Sequence, residues 1–337
     1  MRKVYCYLLF LLIVQSAIGQ GSLDSLRFVL PVGHVEAIYS AVFSEDNRLL
    51  LTVSRDKSAR IWDLKSGKEL QILKGHTDRV VSAVFSKDSK RVLTSSDDNT
   101  VRIWEVESGE ELMVFDGHKK MVASAVFSSD NKCVLAASRD NTARIWSVES
   151  GKELQVFREH SDWVLSAVFS SNNNLVLTSS RDNTARIWDV ESGKELQVFR
   201  GHTDWVSSAV FSSDSMSILT ASRDNTARIW DVKSGKELQV LKGHKAKVTS
   251  AVFSSDSKQV LTSSWDFTAR IWDVESGEEI QVLKGHQHRI HSAVFNNDNS
   301  LVLTASYDGT ARIWNVESGE ELQILEGHTR DVISAVF

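Results

Sequence analysis

Short apolar runs alternate with polar turns along nearly the whole chain, and the runs are too short for helices. One stretch shows the form. Val80–Phe85 leads into the polar turn Ser86-Lys87-Asp88-Ser89, and Val92–Ser96 follows. A turn centred on Asp98-Asn99 precedes Val101–Trp104, and Ser108-Gly109 precedes Glu111–Phe115. Runs of about five residues separated by Ser, Asn, Asp and Gly predict four strands in an antiparallel meander.

The pattern then repeats. Histidines fall at 34, 76, 118, 160, 202, 244, 286 and 328, and tryptophans at 62, 104, 146, 188, 230, 272 and 314, every step being 42 residues. Ala-Val-Phe recurs from Ala41-Val42-Phe43 to Ala335-Val336-Phe337 with no insertion or deletion between. One four-stranded sheet cannot bury both faces, whereas copies packed face to face in a ring can, leaving only short, protected edges. The predicted fold is all-β: a β-propeller of four-stranded antiparallel blades, with seven complete 42-residue repeats, a spare N-terminal strand and a partial eighth repeat.

The Gly-His opening, the Trp-Asp close and the 42-residue period resemble the WD-repeat propellers over residues 24–337. The departures are few. Glu159 stands where Gly precedes the other histidines, and Trp104, Trp146 and Trp314 are followed by Glu105, Ser147 and Asn315. The complete blades are expected at about 35–74, 77–116, 119–158, 161–200, 203–242, 245–284 and 287–326, with a partial repeat at 329–337.

The resemblance implies a buried tetrad of His, Ser, Asp and Trp in each blade. The first blade offers His34, Ser54, Asp56 and Trp62, the second His76, Ser96, Asp98 and Trp104, the third His118, Ser138, Asp140 and Trp146. The fourth offers His160, Ser180, Asp182 and Trp188, and the fifth His202, Ser222, Asp224 and Trp230. The sixth offers His244, Ser264, Asp266 and Trp272, and the seventh His286, Ser306, Asp308 and Trp314. Ser, His and Asp together also describe a nucleophilic triad. A catalytic site is not copied identically into every blade, so the trio is expected to be structural, and no catalytic residue is assigned. Arg60 and its six equivalents, identical throughout, are expected to pack their stems along the blade.

Positions that vary between repeats are free to serve a partner. Three per repeat are expected to open on one face: the residues three and five after the His, and the residue before the Asp. Together they carry seven Arg or Lys and one Asp, on a chain whose 39 basic and 44 acidic residues leave it at −5. The three tryptophans outside the repeat pattern, Trp163, Trp205 and Trp265, also fall here. Arg, Trp and Tyr anchor interfaces, and Arg pairs with Trp through cation–π contacts. The partner-binding set is therefore Tyr39, Arg79, Arg139, Trp163, Arg181, Trp205, Arg223, Lys247, Trp265, Arg289 and Tyr307. The resemblance implies that this face binds proteins or peptides. The residues point to an acidic or aromatic one, with an anionic glycan as the lesser alternative. The negative overall charge argues against nucleic acid.

Other chemistry is sparse. His286, His288 and His291 have a metal-like spacing, but His286 belongs to the tetrad, so no metal is assigned. There is no Gly-rich phosphate loop, zinc motif or nucleophile elbow, and no cofactor is expected. Arg2 and Lys3, the apolar run to Val14 and the small residues Ala17 and Gly19 have the layout of a signal peptide over 1–19. Its removal would take the charge to −7 and leave Cys133 the lone thiol of a secreted or periplasmic protein with no membrane segment. Leu26 to Val32 reads as a spare fourth strand and Asp331 to Phe337 as a spare first one. Two architectures fit: a seven-bladed ring, or a piece of an eight-bladed ring or longer array. The function expected is a non-enzymatic protein- or peptide-binding scaffold. The alternative is the targeting array of a larger enzyme or signalling protein whose catalytic domain lies beyond residue 337.

Overall fold

The computed structural model describes residues 33–326. The expected signal peptide, both spare strands and the partial repeat lie outside them. The described chain forms 28 strands in seven four-stranded antiparallel sheets, with strand order following chain order, and no helix. It is a seven-bladed β-propeller. Blade 1 is built from Ile38–Phe43, Leu49–Ser54, Ser58–Asp63 and Glu69–Lys74, and blade 7 from Ile290–Phe295, Leu301–Ser306, Ala311–Asn315 and Glu321–Leu325.

Burial follows strand position within the blade. The second strand is covered on both faces, as Val92–Ser96 shows, and reads as apolar residues followed by small hydroxyl residues rather than as an apolar–polar alternation. The fourth strand is half-exposed and opens on Glu in every blade, ending on Lys in blades 1, 5 and 6, which discourages edge-to-edge pairing. Alternation sends Leu51, Ala59, Ile61 and Leu73 of blade 1 toward blade 2, where they meet Val80, Ala83, Val92 and Trp104. Six such clusters each join two consecutive blades. The outer faces of blade 1 (Ala41, Leu50, Trp62, Leu64) and blade 7 (Leu303, Ala311, Ile313) form two further clusters that the described residues do not join.

The first two strands of every blade share a bulge. In blade 2 the register passes from Val80↔Ser96 to Ser82↔Ser95, leaving Val81 as the extra residue. The same slip falls at Tyr39, Ala123, Leu165, Ser207, Thr249 and His291. These are the residues five after each His, so the bulge re-aims one of the three variable side chains in every blade.

Candidate functional site

The face that carries the variable residues rests on a polar network beneath it. In blade 1 the Trp62 indole N–H donates to Thr52 Oγ1 at 2.8 Å. Thr52 Oγ1 lies 2.9 Å from His34 Nε2, and His34 Nδ1 lies 2.9 Å from Asp56 Oδ2. A carboxylate only accepts, so Nδ1 carries the proton and Nε2 accepts from the Thr hydroxyl. The donors therefore run in one direction, Trp to Thr to His to Asp. Asp56 also accepts from the Val35 N–H and the Ser58 hydroxyl. Burial alone would raise its pKa. The hydrogen bonds from His34, Ser58 and Val35 outweigh that and hold the carboxyl well below the usual range. Asp308 in blade 7 is held at about 2 by the same balance of burial against hydrogen bonds.

The hydroxyl between His and Trp is thus a threonine, which corrects the expectation for the serines. Thr94, Thr178, Thr220, Thr262 and Thr304 fill the place in blades 2, 4, 5, 6 and 7. Ser54, Ser96, Ser138, Ser180, Ser222, Ser264 and Ser306 do other work. Each donates to the backbone carbonyl two residues after the His and accepts from the N–H of the Asp. Positions 52 and 54 share a face of the second strand. Thr52 sits level with the indole, while Ser54 ends the strand and holds the turn closed. Blade 3 has Ala136 at the threonine position, and His118 Nε2 is buried there with no hydrogen-bond partner. The His118 and Trp146 ring centres stand 5.5 Å apart, against 6.2 Å in blade 2.

Arg60, Arg102, Arg144, Arg186, Arg228, Arg270 and Arg312 each pair with the Glu that opens the fourth strand of their own blade. That pairing adds to the stem packing expected of them. Cys133 is half-buried against blade 4, and burial raises its thiol pKa.

The variable positions do share a face, and the backbone makes them neighbours. In each blade the residue before the Asp donates its N–H to the carbonyl of the residue three after the His, as Arg181 does to Trp163 and Tyr307 to Arg289. Across blades the side chains interleave. The Arg139 guanidinium lies 4.3 Å from the Trp163 ring centre, and Arg181 lies 4.7 Å from Trp163 and 4.2 Å from Trp205. Arg223 closes this ladder at 3.6 Å from Trp205, and the two indoles stand 6.3 Å apart. A second stack follows in blades 6 and 7, where Lys247 and Arg289 lie 5.0 and 4.0 Å from Trp265.

The charge is not spread evenly. On blades 1 and 2 the cations are neutralised: Arg55 pairs with Glu36 at 3.4 Å, and Arg79 pairs with Asp97. The Tyr39 hydroxyl also bonds Arg79 and, with Asp97, raises its pKa against the effect of burial. On blade 4 Arg181 pairs with Asp162 at 3.4 Å. Among the described residues no carboxylate pairs with Arg139, Arg223, Lys247 or Arg289. The cations outside ion pairs therefore lie on blades 3, 5, 6 and 7, with Asp204 acting on Arg223 at longer range.

The three spaced histidines go separate ways. His286 turns inward to Asp308 and Thr304. His288 and His291 pack on Tyr307, with ring centres 6.0 and 5.8 Å away. No group of three or more potential metal ligands forms among the described residues. Sequence reasoning did not single out Phe267 or His288 as surface residues. The available signal was Phe267 itself, aromatic where four other blades have Asn.

The WD domain, G-beta repeat family matches residues 25–63, 67–105, 109–147, 151–189, 193–231, 235–273 and 277–315. The chain belongs to the WD-repeat family. Each matched segment ends at the residue after the repeat Trp, so the family's unit is out of phase with the blade. Residues 67–105 combine the fourth strand of blade 1 with the first three of blade 2. Among solved structures, the chain is similar to the computationally designed protein Ika8, with a TM-score of 0.80 and 27% identity over 89% of this chain and 90% of that one. No curated protein matches it in sequence. Propellers of this family are typically protein-interaction scaffolds and generally non-catalytic.

Proposed function

We propose that this protein is a non-enzymatic scaffold that binds an acidic segment of a protein or peptide across the face of blades 3 to 7. One observation carries the reading: cations and indoles alternate from Arg139 to Arg223, and among the described residues only Arg181 of these cations forms an ion pair, Asp204 acting on Arg223 at longer range. Indole faces hold the guanidinium planes in place, so less side-chain freedom is lost when a ligand arrives. Carboxylates of a partner then meet cations that are already oriented. The Ser, His and Asp of each blade support a structural role. In blade 1 their hydrogen bonds are spent on each other, on backbone and on the Thr52 and Ser58 hydroxyls, and His34 and Ser54 are buried. The leader-like residues 1–19 support export to the periplasm or the exterior.

The test is capture of a fluorescein-labelled, glutamate-rich dodecapeptide followed by anisotropy. Trp163→Ala with Trp205→Ala removes both indoles of the ladder and is expected to abolish binding. Unchanged affinity would sink the reading.

A further inference from the structure

Six of the seven blades put Asn, Gly or Lys directly after the Asp, and blade 6 puts Phe267 there. The turn needs a left-handed residue at that point. Its φ is 73° at Asn99, 72° at Asn141, 68° at Asn183, 72° at Asn225 and 83° at Gly309. Asn and Gly adopt this conformation readily. Lys57, at 71°, has a compensating bond, since its ammonium donates to the Thr77 carbonyl of the next blade at 2.8 Å. Asn141 reaches the equivalent carbonyl of Ser161 at 3.2 Å. Phe267 is also at 71°, yet it has no donor to offer. A bulky side chain in this region is a genuine outlier, and backbone strain of this kind gathers at ligand-binding positions.

The strained side chain points outward. Phe267 is 41% exposed and stacks on His288, ring centres 5.8 Å apart at 27°. His288 continues to Tyr307 at 6.0 Å, so three rings make one continuous aromatic run across the junction of blades 6 and 7. Arg289, next in the chain to His288, lies over Trp265, with Lys247 against the same ring. Neither cation has a carboxylate partner among the described residues.

We infer that the Phe267–His288–Tyr307 run is an anchor subsite for an aromatic side chain of the bound segment, with Arg289 and Lys247 holding the carboxylates that flank it. The inference rests on the proposed reading of the face and deepens it. The ligand becomes an acidic peptide with an aromatic residue among its carboxylates. An aromatic ring adds area on Phe267 that a purely acidic strand does not use.

Two probes separate the subsite from the face: glutamate-rich dodecapeptides carrying one central Phe or one central Gly. Each is titrated against the full chain, Phe267→Asn, and Trp163→Ala with Trp205→Ala, with a thermal melt of every variant. The wild type should bind the Phe peptide at least tenfold more tightly than the Gly peptide. Phe267→Asn should erase that ratio while melting no lower than wild type, because Asn relieves the left-handed strain. The inference is overturned if Phe267→Asn keeps the ratio, or if it melts lower with the ratio intact, which would make Phe267 a packing residue. It is also overturned if the wild type does not distinguish the two peptides or binds neither. Loss of both peptides in the double tryptophan variant supports the face as a whole. Retention of both there refutes the face, while the Phe267→Asn ratio still decides the subsite.

Discussion

A threonine hydroxyl joins His to Trp in six blades, and blade 3 lacks it. Ala136 leaves His118 Nε2 buried and unpaired, and an orphaned buried acceptor costs about 1–3 kcal/mol. Ala136→Thr is therefore expected to stabilise the protein by about 1 kcal/mol, read from the urea midpoint. The reverse change, Thr178→Ala, should destabilise it by about 1–3 kcal/mol, because it strands the His160 acceptor and the Trp188 donor together. Equal midpoints for Ala136→Thr and wild type would mean that the vacancy is already satisfied. The identity of these residues was only partly legible in the sequence. His, Asp and Trp announce themselves by strict repetition, and so does Ser54, whose invariance reflects its hold on the turn. Repetition points to residues that every blade needs. It hides Thr52, whose equivalent at 136 has been lost without loss of the fold.

At the scale of the strand, hydrophobic alternation was sufficient to find all four elements of each blade. It could not show the bulges. A slip of one residue leaves the composition of the strand unchanged, yet it decides where Tyr39 or His291 points. Acid acts on the buried histidines of blades 4 and 7. Burial lowers the pKa of His160 and His286, against the pull of Asp182 and Asp308. A histidine whose folded pKa lies below its unfolded value of 6.5 contributes stability that is complete above 6.5 and is lost as pH falls toward the folded value. The aspartates follow later. Asp308, ordinarily 3.8 and held at about 2, keeps its contribution above 3.8 and loses it down to about 2. Melting temperatures are expected to fall in two stages, first between pH 7 and 5 and again below pH 4. A flat melting temperature from pH 7 to 5 would contradict this assignment.

The whole molecule carries −5, yet blades 3 to 7 gather Arg139, Arg181, Arg223, Lys247 and Arg289 on one face, with only Arg181 in an ion pair among the described residues. Composition pointed away from polyanions in general, and only the positions that vary between repeats exposed the basic face. What those positions could not reveal was neutralisation. Arg55 and Arg139 occupy the same repeat position, but Glu36 answers Arg55 and no described carboxylate answers Arg139. Nor do they include Phe267, which follows the Asp and stands out in the sequence only as an aromatic residue where four other blades have Asn. Binding that depends on these cations should weaken steadily as salt rises from 50 to 500 mM, since the exposed charges are screened as the Debye length shrinks to a few ångströms, ~4 Å. Salt-independent affinity would point to contacts carried by the indoles alone. The most direct test sets the two sectors of the face against each other. The affinity of the glutamate-rich dodecapeptide is measured at low salt for Arg139→Glu with Arg223→Glu and, separately, for Arg55→Glu. The double reversal should cost at least tenfold, and the single change on the neutralised sector should stay within twofold of wild type. Equal losses at both places, or none at either, would contradict a binding face confined to blades 3 to 7.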